Sequence, residues 1–327
     1  MASTGEHFLV TGAAGCIGAW TLRLLLDSGA TVTASDLVND LRRFQLISLG
    51  RAAGEIDFVS LDVTKTQDVV ELIQDRGITH VVHLAGLQIP FCAANPPLGA
   101  AVNVGGTINI FEAVKACKRR VGLAYASSVA VFGSSSQPPA GVVGDSSPLQ
   151  PDTHYGVYKA ANEGTARIYA AGDGIGSVGL RPFVVYGPGR DQGLTSDPTH
   201  AMLAAARGAP YHIKFGGNLL LTYAPDCARA FIGAARAAAD SSEAICLNVP
   251  GQRTSVAALV DLITEFVPEA AGLLTFGTTP IRFPSLLAAP ALPAVTGEVS
   301  NCPLGEGVQL TIDHFRKALS AGILPGP

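Results

Sequence analysis

The sequence predicts an α/β protein: a doubly wound parallel sheet with a smaller α/β lobe at the C-terminal side. Two observations carry that prediction. Through the first 181 residues, short apolar runs of strand length alternate with longer runs of helical period, and alternation of this kind implies parallel strands joined by right-handed helical crossovers. After about residue 181 the texture changes, and residues 188–217 become rich in Gly, Pro, Thr and Ser, as a loop-built lobe should. The expected division is 1–181 for the sheet domain and 182–327 mainly for the lobe. A chain of this length buries a sizeable core.

The elements follow in order. Phe8-Leu-Val10 reads as a short buried strand, and Ala19 to Leu26 carries helical periodicity. Between them lies Thr11-Gly-Ala-Ala-Gly-Cys-Ile-Gly18. Gly12 permits the tight turn, Gly15 lets backbone amides approach a pyrophosphate, and Gly18 lets the helix pack closely on the strand. Cys16 and Ile17 belong to the same turn, at the positive end of the helix, where phosphates bind. This is the arrangement of a dinucleotide-binding (Rossmann) domain. A second apolar strand, Ala30 to Ser35, ends in Asp36, where a carboxylate accepts hydrogen bonds from the adenosine ribose and repels a 2′-phosphate. NAD is therefore expected over NADP. Arg42 and Arg43 nearby are the feature that speaks for a 2′-phosphate instead, although their plain reading is a solvated helix face.

Further strands are expected at Ile56–Ser60, His80–Leu84, Gly122–Ser127 and Ser177–Arg181. Tyr223–Ile232 and Ala244–Val249, within 218–250, look like a return to the same sheet. The segment 276–303, rich in Pro, Ala and Leu, reads as a covering strap ahead of a last helix from Thr311 to Leu319.

Composition narrows the partners. Net charge is −4, with no basic cluster longer than Lys118-Arg-Arg120, which argues against nucleic acid and suits the end of a helix. The six cysteines show no C-x-x-C and the seven histidines are scattered, so free thiols in a reducing cytoplasm, and no metal, are expected. No basic-then-apolar leader and no run of eighteen apolar residues occurs, so no membrane association is expected. With 48 % apolar and 15 % charged residues, a homodimer is the natural assembly.

Candidate chemistry centres on Tyr155 and Lys159, in Thr153-His-Tyr-Gly-Val-Tyr-Lys-Ala-Ala-Asn-Glu163. On a helix that spacing puts phenol and ammonium on one face, and a cation there favours phenolate. A tyrosine of ordinary pKa about 10 must titrate well below that to be a base near neutral pH; Lys159 supplies part of the lowering and a bound cationic nicotinamide more. Tyr158 has Asn162 where a lysine would have to stand.

These residues share an order with a known family. Thr11-Gly-x-x-Gly-x-x-Gly18, Asp62-Val63, Leu84-Ala-Gly86, Asn103-Val-x-Gly-Thr107, Ser127-Ser128, Tyr155-x-x-x-Lys159 and Leu180-Arg-Pro-Phe-Val-Val-Tyr-Gly-Pro-Gly189 resemble, over nearly the whole chain, the extended short-chain dehydrogenases. That group includes the NAD-dependent sugar epimerases and dehydratases. The resemblance implies that Asp62 and Val63 bracket the adenine, that Leu84, Ala85 and Gly86 line the phosphates and ribose, and that Pro182 onward meets the nicotinamide carboxamide. It makes Ser128 the serine that faces the substrate and Lys159 the ligand of the nicotinamide ribose. Asn103 either joins this site or caps the helix through Phe111–Val114.

On the substrate side the chain departs from the sugar-nucleotide members, placing Val184 and Leu219-Leu-Leu221 where they commonly carry an asparagine and an Arg-Asp-Phe triplet. A diphosphate buried against leucine would lack a charged partner. Arg190 remains either as an anchor suited to one carboxylate or as a solvated loop arginine. Thr195, Ser196 and Asp197 either bond sugar hydroxyls or form a turn capping a helix from about Thr199, and Gln88 and Phe91 approach from the other side. The implied function is hydride transfer from a hydroxyl of a sugar or sugar acid to NAD. An epimerase that returns the hydride is the alternative, and a non-catalytic NAD sensor a remote third.

Overall fold

The computed structural model describes residues 5–49, 56–134, 142–281, 283–284, 286–297 and 300–326. From the amino end the chain alternates: β1 (His7–Thr11), α1 (Cys16–Asp27), β2 (Thr31–Asp36), α2 (Arg42–Ser48), β3 (Asp57–Ser60), α3 (Thr66–Asp75), β4 (His80–His83). Short helices α4 (Ile89–Ala94) and α5 (Pro96–Ala100) run through a π-helical turn, Ala101–Gly105, into α6 (Gly106–Ala116) and then β5 (Gly122–Ala126). A 3-10 turn, Val129–Phe132, precedes α7 (His154–Asp173) and β6 (Ser177–Arg181).

The remainder comprises β7 (Val184–Tyr186), α8 (Asp197–Arg207), β8 (Tyr211–Ile213), β9 (Asn218–Tyr223), α9 (Ala224–Ala239) and β10 (Ala244–Asn248). β11 (Gln252–Ser255), α10 (Val256–Phe266), β12 (Leu274–Phe276), α11 (Leu292–Thr296) and α12 (Leu304–Ser320) complete it.

Seven strands form one parallel sheet in the order β10-β6-β5-β4-β1-β2-β3. The order reverses beside β1, so the crevice for a ligand opens at the carboxyl ends of β1 and β4. The central strands are apolar because both faces are covered. α1 and α9 pack on one face around Leu22, Leu25, Phe231 and Ala234, and α3 and α6 on the other around Val69, Ile73, Ile110 and Phe111. A second core, under α8, α10 and α12, gathers Met202, Leu219, Leu259, Ile263, Ile312 and Phe315. The fold class agrees with the sequence reading.

Details differ, for physical reasons. In the segment expected to rejoin the main sheet, α9 packs there and β10 pairs with β6, whereas β9 lies in a separate three-stranded sheet between β7 and β11. Leu219, Leu220 and Leu221 are all buried, and a strand apolar on both faces does not tell which sheet it joins. The last helix starts at Leu304, a turn and more before Thr311; Gly305 and Gly307 in its first turn hide the helical period. α8 starts at Asp197 with Pro198 in its first turn, not at Thr199. Asn103 caps no helix: it lies inside the π-helical turn.

Within the strap, Leu287 bridges to Val143, Pro280 to Gly216, and α11 packs on α9. Arg119, of the basic triplet after α6, donates to the carbonyl of Ile73 in the last turn of α3 and to that of Ile78 just beyond it. No helix among the described residues is long and apolar enough to cross a membrane. No group of three or more His, Cys, Asp or Glu among them could hold a metal ion, and all six cysteines are unpaired.

Candidate active site

A cavity of about 650 Å³ runs along the carboxyl ends of the strands, a size suited to a cofactor and a small substrate. Gly12, Gly15, Cys16, Ile17, Gly18, Asp36, Asp62, Val63, Leu84, Ala85, Gly86, Tyr155, Lys159 and Pro182 all line it. So do Gln88, Phe91, Ser128, Arg190 and Thr195. Two residues expected in the site, Asn103 and Ser196, do not line it.

The glycine turn fits a dinucleotide on its own geometry. Gly12 has φ +70, and a Cβ there would lie 2.6 Å from Ala85 N, while one on Gly18 would collide with Gly12 O. Backbone thus meets backbone at three chain segments. α1 has no side-chain cap and no acidic residue in its first turn, so its leading amides are left for an anion. Asp36, at the end of β2, accepts from Ala14 N at 3.0 Å and Leu37 N at 2.8 Å. Asp62 accepts from Thr64 Oγ1 at 2.7 Å and Thr64 N at 2.9 Å, bonds that hold its carboxyl below the usual range.

Asn103 works from beneath. Its amide donates to Gly99 O at 3.0 Å and Leu87 O at 3.2 Å, fixing the loop after β4. Its Oδ1 is buried with no partner and lies 2.7 Å from where a Gly86 Cβ would be. The sequence reading does not reach the network around it. His83 bonds Thr11 Oγ1 at 2.7 Å and Thr107 Oγ1 at 3.2 Å, and Asn162 donates to Asn103 O at 3.0 Å and Thr107 Oγ1 at 3.1 Å. Burial pushes the His83 imidazole down to about 3, so it stays neutral and serves as a spacer between β1 and α6.

Tyr155 and Lys159 occupy the first turns of α7, whose start is fixed by the Thr153 hydroxyl accepting from Gly156 N at 3.0 Å. Lys159 Nζ lies 5.5 Å from the Tyr155 ring centroid. Ser128, at the start of the 3-10 turn, hydrogen-bonds Tyr155. Burial pushes the Tyr155 phenol above its usual value, opposed by the Ser128 bond and by the positive charge of Arg190. This corrects the expectation that Lys159 depresses it. Lys159 is itself buried, which pushes its ammonium down to about 8, so it stays mainly cationic at neutral pH, and burial of the phenol outweighs it. Tyr158 is taken up elsewhere, donating to Pro96 O at 2.9 Å.

The substrate side is built from the loop after β7. Arg190 Nη2 donates to Thr195 Oγ1 at 3.4 Å, and its Nε is buried without a partner, as is Gln88 Oε1 nearby. Phe91, Phe183, Phe283, Val184 and Leu194 add apolar wall, with Phe183 and Phe283 edge to face, centroids 6.1 Å apart. Ser196 turns away, donating to Gly193 O at 3.0 Å. Asp197 is committed to Tyr211 Oη at 2.9 Å and Lys214 N at 2.8 Å. The turn reading of that pair is the one the geometry supports.

Arg43 is a second correction. Its side chain is only 11 % exposed and reaches Ala14 O and Asp191, so it is no solvated helix residue. Its carboxylate partner lies 148 positions along the chain, beyond any local pattern.

Fold and site together define a dinucleotide-binding α/β protein with a serine, a tyrosine and a lysine at the carboxyl ends of its strands. The NAD dependent epimerase/dehydratase family model matches residues 8–249, and the chain belongs to that family. Rice (Oryza sativa subsp. japonica) UDP-glucose 4-epimerase 3 is 30 % identical over 203 residues, 59 % of this chain and 53 % of that one. The chain thus spans about half the length of that relative. Among solved structures, the UDP-glucose 4-epimerase of Thermus thermophilus, in complex with NAD, superposes with a TM-score of 0.78 at 26 % identity, covering 96 % of this chain and 100 % of that one. A partial-consensus L-threonine 3-dehydrogenase gives 0.79 at 26 % identity, covering 95 % and 99 %.

Proposed function

We propose that the protein is an NAD-dependent dehydrogenase that oxidises a hydroxyl of a sugar acid or a related hydroxy acid. The observation that carries this reading is Arg190: a cation in the cavity that holds Tyr155 and Ser128, with its Nε buried and unpartnered. A guanidinium with an unsatisfied N–H beside a partly apolar pocket suits one carboxylate. The Leu219–Leu221 strand is buried in the lobe and does not line the cavity, so it brings no charge to a diphosphate there.

In this reading Ser128 donates a hydrogen bond to the reacting oxygen while Tyr155 Oη takes its proton. Lys159 binds the nicotinamide ribose, and Arg190 orients the acid and biases Tyr155 toward phenolate. NAD⁺, when bound, would supply the hydride acceptor and a positive charge that favours phenolate. Likeness to an L-threonine 3-dehydrogenase supports it, threonine being itself a hydroxy acid.

The Thermus epimerase, matched over nearly the whole chain, supports a second reading, in which the hydride returns to the opposite face and no NADH is released. One experiment separates the two. The protein is incubated with NAD⁺ and a panel of aldonic and uronic acids, their neutral sugars, and nucleotide sugars, following NADH absorbance and stereochemistry by NMR. NADH accumulating with an acid but not with its neutral counterpart, a KM raised roughly tenfold or more in Arg190→Ala, and no turnover in Tyr155→Phe are expected. A stereocentre inverted on a nucleotide sugar without NADH would establish the epimerase instead.

A further inference from the structure

The dinucleotide end of the cavity holds a cation that is already occupied. Arg43 Nη1 donates to Ala14 O at 2.7 Å, and Nε and Nη2 both reach Asp191 Oδ1 at 2.7 Å. Arg43 and Asp191 line the same cavity as Asp36. Ala14 is gripped from its other side, its N–H donating to Asp36 Oδ2 at 3.0 Å. One residue of the glycine turn therefore ties the ribose-end carboxylate to the guanidinium, and the guanidinium to the loop that carries Arg190.

We propose that Asp191 is a specificity-determining residue for the cofactor: by holding Arg43 against Ala14 it withholds from a 2′-phosphate the cation that phosphate needs, so the site takes NAD and rejects NADP. In sites of this type an arginine beside the ribose is what accommodates the 2′-phosphate, through the same planar fork that binds a carboxylate. Here its Nε–Nη2 edge is taken by Asp191 and one Nη1 donor by Ala14 O. Asp36 alone is an incomplete guard, because its two oxygens already accept backbone amides from Ala14 and Leu37, which disperses the charge that would repel a phosphate. A purely mechanical role, in which the pair merely pins the loop to the glycine turn, makes a different forecast: losing it would weaken NAD and NADP alike.

The chain carries its own reporter. Its single tryptophan, Trp20, donates Nε1 to Pro188 O at 2.9 Å, within the loop concerned. Trp20 emission, with calorimetric titration beside it, gives the Kd of NAD⁺ and of NADP⁺ for wild type, Asp191→Ala and Asp191→Ala/Arg43→Ala. Asp191 is exposed at the surface, so its replacement should leave the fold intact, and Asp191→Ser serves as the second substitution if the alanine variant does not fold.

The expected result is that removing Asp191 improves NADP⁺ relative to NAD⁺ by roughly fivefold, the scale of one part-exposed ion pair, and that removing Arg43 as well abolishes the gain. An unchanged ratio in Asp191→Ala would overturn the proposal. So would a gain that persists without Arg43, since the lost negative charge rather than the freed guanidinium would then be responsible. Wild-type NAD⁺ binding in the same titration tests the cofactor assignment by itself.

Discussion

Lys159 carries a thermodynamic cost that its chemistry requires. Burial lowers its pKa from an ordinary 10.5 to about 8, equivalent to about 3 kcal/mol of penalty for holding the ammonium in the folded chain. Because the folded value lies below the unfolded one, the unfolded chain binds more protons between those limits. The penalty is therefore complete below pH 8 and is relieved as pH rises toward 10.5. Lys159→Met should raise stability at pH 7 by up to about 3 kcal/mol, and that advantage should shrink in denaturant melts at pH 10. An equal difference at both pH values would show that the ammonium is not strained. Tyr155 and Arg190 form a second residue-scale pair: since the Arg190 charge opposes the burial that raises the phenol, Arg190→Ala should move the alkaline rise in turnover to higher pH as well as raising KM.

At the scale of elements, α7 is locked to the sheet one turn beyond Lys159. Glu163 is fully buried and accepts from Arg181 Nε and Nη2 at 2.7 Å each and from Ser127 Oγ at 2.6 Å. Arg181 ends β6 and Ser127 precedes Ser128, so this cluster fixes the helix bearing Tyr155 against the strand end bearing the serine. Glu163→Gln leaves a buried guanidinium without its counter-charge and should cost about 3–5 kcal/mol. Glu163→Met/Arg181→Met, which removes both charges, should recover most of that loss in urea titrations. A double variant no more stable than the single one would mean that the cluster acts through packing alone.

Elements also show what the sequence can reveal. β1, β2, β4, β5 and β6 are legible because each is an apolar run ending at a marked residue, and Tyr155 and Lys159 because helical spacing brings them together. The sheet that β9 joins is not legible, because three buried leucines look alike in either. Arg43 reads as solvated, and Asp191 goes unnoticed, because their bond joins segments distant in the chain. Phe183 and Phe283 meet across the cavity for the same reason.

For the whole molecule, the exposed face of α7 bears on assembly. Val157 and Ile168 are 49 % and 72 % exposed, and Ala161 and Gly164 fall on the same stripe at helical spacing. We propose that a homodimer buries this stripe, as the low charge content suggests. Ile168→Asp should then shift the mass measured by light scattering from dimer to monomer. A wild type of monomeric mass would remove the dimer altogether.

The path of the chain has a consequence for synthesis. β6 pairs with β5 on one side and with β10 on the other, yet β7, α8, β8, β9 and α9 lie between them in sequence. On a ribosome adding about 5–20 residues per second, β6 emerges several seconds before its outer neighbour exists. For that interval the nascent sheet ends in an apolar strand with one row of amides and carbonyls unpaired, a template for pairing with another chain. Yield in a cell should therefore depend on chaperone capacity during that interval more than on the stability of the finished fold.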